Sequence, residues 1–120
     1  MKAIHVKRAY DPPSRADGLR VLVDRLWPRG LPRQRASVDL WVKDVAPSTP
    51  LRRWFNHDPT KWAEFRRRYA EELDAKAAVV AALVGAVRRG RVTLLFGSKD
   101  KQHNNAVALQ AYLSSRRLIA

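Results

Sequence analysis

The stretch Asp24-Arg25-Leu26-Trp27-Pro28-Arg29-Gly30 brings a carboxylate, two guanidinium groups and an indole into one short segment. It follows the apolar run 19–23, which reads as a buried strand. Guanidinium groups hold carboxylates and phosphates through a rigid fork of N–H donors, and a nearby carboxylate can take or keep a proton. The same device recurs, because Lys7-Arg8, Lys43-Asp44 and Lys99-Asp100 also follow apolar segments. In an open α/β sheet the carboxyl ends of parallel strands meet along one edge, where ligands bind. Parallel strands would therefore gather Arg25, Lys43, Asp44, Lys99 and Asp100 round one crevice. In that reading Arg25, Arg29, Lys43 and Lys99 neutralise a small phosphorylated or nucleotide-type anion, Trp27 walls the pocket, and Asp44, Asp100 or His103 moves protons. The plainer reading is of solvated loop ends joined by salt bridges.

A second signal is Gly97-Ser98-Lys99-Asp100-Lys101-Gln102-His103-Asn104-Asn105. A glycine turn that opens a helix exposes backbone N–H groups and the positive end of the helix dipole. Lys99, Asn104 and Asn105 add donors for a phosphate or carboxylate. Ordinary capping of the helix by Asp100 and the Asn pair is the competing account. Neither GxxxxGK[ST] nor GxGxxG is present, so no nucleotide cofactor is implied and the cofactor is left unknown. His57 and His103 serve either as acid–base groups or as polar scaffold; His5 falls inside a strand. A zinc site needs three or four close ligands, and no HExxH occurs, so no metal is expected.

These residues need elements to position them. Alternation at 3–8, the apolar runs 19–24 and 92–96, and the segment 38–45 predict four strands. Ser48-Thr49-Pro50 starts a short helix, and Asp58-Pro59 starts another. The latter carries Trp62, Phe65, Tyr69 and Leu73 on one stripe. Ala/Val/Leu-rich residues 77–87 extend the helical region to Gly90, and a last helix runs from about 101–104 to 117 with Ala106, Leu109 and Leu113 inward. The connection from the third strand to the fourth is long and helical, which permits parallel pairing. The first two connections, at about ten residues, are short for crossovers. The expectation is one α/β domain over residues 1–120: a small, mostly parallel sheet of four strands, with room for one antiparallel member, flanked by helices.

Composition bounds the function. The chain has 120 residues, a formal net charge of +13 from 24 Lys and Arg against 11 Asp and Glu, and no cysteine. Disulfides and thiolate chemistry are excluded. No apolar stretch reaches the ~20 residues of a membrane helix and no signal core opens the chain, which predicts a cytoplasmic protein without a membrane partner. The positive charge attracts anionic metabolites or polyanions. Two further readings follow. One is a nucleic-acid-binding module with Arg-rich faces and Trp27 stacking a base. The other is a non-catalytic interaction protein whose charge pairs are purely structural. Oligomeric state is not legible.

Asp24-Arg-Leu-Trp-Pro-Arg-Gly30, Lys43-Asp-Val-Ala-Pro-Ser48, Trp54-Phe-Asn-His-Asp-Pro59 and Lys99-Asp-Lys-Gln-His-Asn-Asn105 occur in that order. Together they resemble the YeaO-like family, a group of domains of unknown function numbered 488, from Ile4 to Leu113. The resemblance implies a small bacterial or archaeal cytosolic α/β protein and carries no reaction with it.

Overall fold

In the computed structural model, which describes residues 4–118, parallel strands pair in the order β1-β4-β2-β3. They are β1 (Ile4–Arg8), β2 (Leu19–Leu22), β3 (Leu40–Trp41) and β4 (Val92–Phe96). The wholly buried β4 sits between β1 and β2, with Ile4 and Leu19 both opposite Val92. The sheet is parallel throughout, so the antiparallel alternative does not arise. Ala3, expected to open the first strand, lies outside the described residues.

The β1–β2 connection passes over β4 without an α-helix. Ten residues span roughly 33 Å when extended. Crossing two strand spacings takes only about 10 Å and returning along the strand roughly 16 Å. Pro12 and Pro13 keep the segment extended, and a three-residue 3-10 turn, Arg15–Asp17, capped by Ser14, completes it. Gly18 is required there. Its φ is +63°, and a Cβ would meet the Arg91 carbonyl oxygen at 2.3 Å.

The third strand is much shorter than the 38–45 segment expected for it. Only Leu40 and Trp41 pair, with Val21 and Leu22. After Val42 the chain turns into a 3-10 turn at Lys43–Val45, closed by Val45 N–H to the Val42 carbonyl and Ala46 N–H to the Lys43 carbonyl. The turn sends Val45 into the core and leaves Lys43 and Asp44 in water. Alternation predicts extension, but burial of Val45 decides the backbone.

The described α-helices are α1 (Arg33–Ala36), α2 (Thr49–Phe55), α3 (Trp62–Asp74), α4 (Ala77–Arg89) and α5 (Asn105–Ser115). Of these five, the second and the last begin on a side-chain cap. Ser48 caps α2 with Pro50 in its first turn; its N–H and hydroxyl are both held by Glu72. Asp58 caps a 3-10 turn that runs into α3. Asn104, rather than a residue nearer 101, caps α5. The helices 2–5 pack on one sheet face, over Val21, Val23, Leu94 and Phe96. Tyr69 lies fully inside, its hydroxyl donating to the Val45 carbonyl. The other face, carrying Leu22 and Leu95, is covered by the 23–39 connection through Trp27, Leu31 and Val38, with Trp41 beside them. No helix among the described residues is long and apolar enough to cross a membrane.

Candidate functional site

A cleft of about 180 Å³ opens beyond the carboxyl ends of β2 and β4. Its walls come from several segments. The exit of β2 supplies Asp24, Arg25 and Leu26; Ala46 and Pro47 follow the 3-10 turn; α2 adds Arg52 and Phe55. His57 and Phe65 close one side, and Ser98, His103, Asn104 and Asn105, from the β4–α5 segment, close the other.

Asp24 organises the floor. Its Oδ2 accepts the Gly97 N–H at 2.7 Å, tying the exits of β2 and β4 together. A Cβ at Gly97 would lie 3.2 Å from that oxygen, so the close approach favours glycine. The Asp24 carbonyl accepts the Trp41 indole N–H at 2.8 Å. Burial pushes the Asp24 carboxyl above its ordinary range, although the Gly97 N–H, the Asn105 amide and the Arg52 charge pull the other way.

Arg25 is the anomaly. Its Nη2 lies 3.5 Å from the Ala46 carbonyl, at the limit of a hydrogen bond, and its Nε is buried with no partner. No ion pair among the described residues engages Arg25. Buried donors are almost always satisfied, so the unpartnered Nε sets Arg25 apart from the other polar groups of the described residues.

The far wall is built on Asp100. Its Oδ1 accepts N–H groups from Gln102 and His103, at 2.9 and 3.0 Å, and its Oδ2 meets His103 Nδ1 at 2.9 Å. The Gln102 N–H, then the His103 contacts, hold the Asp100 carboxyl below its usual range. His103 is thus held through Nδ1, and its ring meets Trp62 in a T-shaped arrangement with centroids 5.3 Å apart. Asn105 Nδ2 donates to the Val23 carbonyl at 2.9 Å, and Asn104 Oδ1 accepts the Val107 N–H at 3.0 Å. Asn104 thereby caps α5, and the amino end of that helix adjoins the cleft wall. His57 sits at φ +56° directly after Asn56 at +47°, so two successive left-handed residues turn the chain at the rim.

The structure thus brings Arg25, His103, Asn104 and Asn105 together, with Asp100 behind His103. It does not bring the others. Lys43 and Asp44 line a separate shallow groove between β3 and α4, where Lys43 Nζ lies 4.1 Å over the Trp41 ring. Lys99 is exposed and outside the cleft wall. Arg29 is exposed; its carbonyl accepts the Tyr10 hydroxyl. Trp27 is on the opposite sheet face, with Nε1 bonded to the Leu31 carbonyl, its edge on Trp41 and Arg33 over its face at 4.6 Å. Strand-end position alone cannot tell a residue turned into the cleft from one turned away from it.

Sequence reasoning left out Arg52 and the apolar wall of Phe55 and Phe65, and it placed Asp24 in the leading motif without assigning it to the site. Arg52 carried no signal, because Arg52-Arg53 on a short helix reads as a solvated face. Among the described residues no group of three or more His, Cys, Asp or Glu is placed to hold a metal ion.

The family model described as "Inactive DUF488-N3 subclade" matches residues 3–118. The uncharacterized protein YeaO of Escherichia coli (strain K12) is 38% identical over 112 residues, covering 93% of this chain and 97% of the relative. Uncharacterized proteins of Mycobacterium tuberculosis and Mycobacterium bovis are 40% identical over 113 residues, covering 94% of this chain and 95% of each relative. No solved structure matches the chain.

Proposed function

The chain belongs to the inactive DUF488-N3 subclade of the YeaO-like DUF488 proteins, and from that premise we propose that its cleft binds a small anion without turning it over. The observation that carries this reading is Arg25, a cleft-lining guanidinium that no ion pair among the described residues engages and whose buried Nε has no partner. Arg52 on the facing helix and the amino end of α5 add positive potential at the same walls. The subclade's description, inactive, speaks against catalysis. So does the position of Asp44, a proton-transfer candidate that faces a different groove.

Size narrows the ligand. A dry cavity of about 150 Å³ holds a benzene ring. At about 180 Å³ this cleft takes a phosphate or a small organic acid, not an entire nucleotide. A nucleic-acid role has the net charge of +13 in its favour. However, the indole proposed to stack a base is already packed against Trp41 and covered by Arg33.

Thermal unfolding in matched ionic strength tests the reading, with acetate, 3-methylbutanoate, phosphate and sulfate as probes. An anion at 100 times its Kd stabilises the native state by about 2.7 kcal/mol. The wild type should gain stability with at least one of these probes, and Arg25→Gln should lose that gain. Equal responses of the two proteins to every probe would refute the proposal.

A further inference from the structure

We infer that the cleft selects a small monocarboxylate carrying a hydroxyl or amino group beside its carboxylate and a short apolar tail, in preference to phosphate. This deepens the anion reading and rests on it.

Three features of the walls carry the inference. First, the cleft holds both signs of charge without joining them. Asp24 and Arg25 are chain neighbours that both face the cleft, and among the described residues neither enters an ion pair. Arg52 acts on Asp24 only through its field. A ligand complementary to both must present acceptor oxygens to Arg25 and a donor to Asp24. Gly97 N–H and the Asn105 amide are the donors Asp24 already has, whereas a carboxylate has about four lone-pair sites. Capacity remains for a ligand O–H or N–H.

Second, the Asp24 charge discriminates between anions. A dianion such as phosphate, drawn to Arg25, would sit beside a like charge in a desolvated cleft, and that repulsion works against it. A single carboxylate, with a donor turned to Asp24, converts the same group from a repulsive to an attractive contact. Ionised Asp24 accepts from the ligand; the elevated proton affinity caused by its burial weakens this selection in acid.

Third, the remaining wall is apolar. Leu26, Ala46, Pro47, Phe55 and Phe65 supply apolar lining beside the charged groups, and the two phenyl rings stack at 4.4 Å. Such a wall offers phosphate nothing but desolvates an alkyl group favourably. Leu26, at 63% exposure, stands at the mouth, where a ligand tail would cover it.

The test is isothermal titration calorimetry of the full chain at pH 7.5 with three matched probes: 3-methylbutanoate, 2-hydroxy-3-methylbutanoate and inorganic phosphate. The hydroxy acid should bind at least tenfold more tightly than the acid lacking the hydroxyl, and phosphate should be the weakest. Asp24→Asn keeps an oxygen for the Gly97 N–H but removes the charge. It should collapse the difference between the two acids to less than threefold and strengthen phosphate binding. Circular dichroism of the variant checks that it folds; if it does not, the wild-type ranking alone decides. Phosphate binding more tightly than both acids, with that binding lost in Arg25→Gln, would overturn the inference and leave the anion reading standing. Binding of none of the three would overturn both. Equal binding of the two acids would remove the role given to Asp24 and with it the inference.

Discussion

Asp17 with Arg20 and Asp24 with Arg25 are the same residue types a few positions apart, on opposite sides of β2, and they have opposite fates. Asp17 is buried and its carboxylate accepts Arg20 Nη1 at 2.6 Å, Lys7 Nζ at 3.1 Å and the Ser14 N–H at 3.0 Å. Arg20 spends its remaining N–H groups on the carbonyls of Ala36 and Ser37. Thr93, also buried, donates to the Asp17 carbonyl. That network is closed, and it fastens the far end of the 23–39 cover to the turn before β2. At the other end of β2 the acid and the base are both directed into a cleft and left unjoined. A buried pair costs much to desolvate and is tolerated when every donor finds an acceptor. An unsatisfied one persists where something outside the chain completes it. The same chemistry thus serves architecture at one end of the strand and, in the proposed reading, recognition at the other.

The contrast can be broken experimentally, beginning where the effect is largest. Arg20→Ala leaves Asp17 buried with Lys7 as its remaining cation, and should lower the unfolding free energy by about 3 kcal/mol in urea titrations. A loss below about 1 kcal/mol would mean that the closed network is no more structural than the open site. Arg25→Gln, by comparison, removes a guanidinium that makes no strong contact, so its stability should stay within about 1 kcal/mol of the wild type in the same titrations.

The two aspartates should also respond to pH in opposite senses. Burial raises the Asp17 carboxyl, but hydrogen bonds from the Ser14 N–H, Arg20 and Lys7 outweigh it, and its pKa lies below the ordinary 3.8. The folded state therefore binds fewer protons than the unfolded chain, and this contribution is present above about pH 4 and lost as pH falls through the folded value. Asp24 is raised, so the unfolded chain loses its proton first and stability falls as pH rises from 3.8 through the folded value. Asp24→Asn should therefore raise Tm at pH 7 by a margin that shrinks toward pH 4, whereas Asp17→Asn should lower it by a margin that shrinks in acid. Parallel pH profiles for the two variants would contradict the contrast.

The smallest effect belongs to the solvent-facing side of α3. Hydrogen bonds from Arg67 and then Arg68 bring the Glu64 carboxyl down to about 2. This cluster lies in water, where ion pairs add little. Glu64→Gln should leave Tm unchanged at pH 7, and a clear drop would show that surface charge matters more here than the closed network implies.

Much of the frame is legible in the residues. Val92 to Phe96 is wholly apolar and becomes the central strand; the stripe of Phe65, Tyr69 and Leu73 becomes the buried face of α3; Ser48 and Asp58 cap where capping chemistry places them. Local patterns decide these because burial and backbone satisfaction act over three or four residues. The candidate site is legible only in part. The motif around Asp24 and the turn after Gly97 mark segments that do meet. Yet Lys43, Lys99, Arg29 and Trp27 sit in equally suggestive places and turn elsewhere, while Arg52 enters from a helix with no signal. The direction of a loop side chain is set by distant partners, such as Trp41 under Lys43 and Arg33 over Trp27.

Composition, periodicity and caps by themselves determined the central strand, the buried stripe of α3, the excess of positive charge and the absence of thiol chemistry. Only the tertiary structure decided that strand three ends at Trp41, that helices cover one sheet face and a loop the other, and that Arg25 keeps a buried N–H unsatisfied beside Asp24. The physical reason is range. Propensity and amphipathic period are properties of neighbouring residues, whereas pairing a charge or leaving it open depends on which groups the fold carries to it from far along the chain.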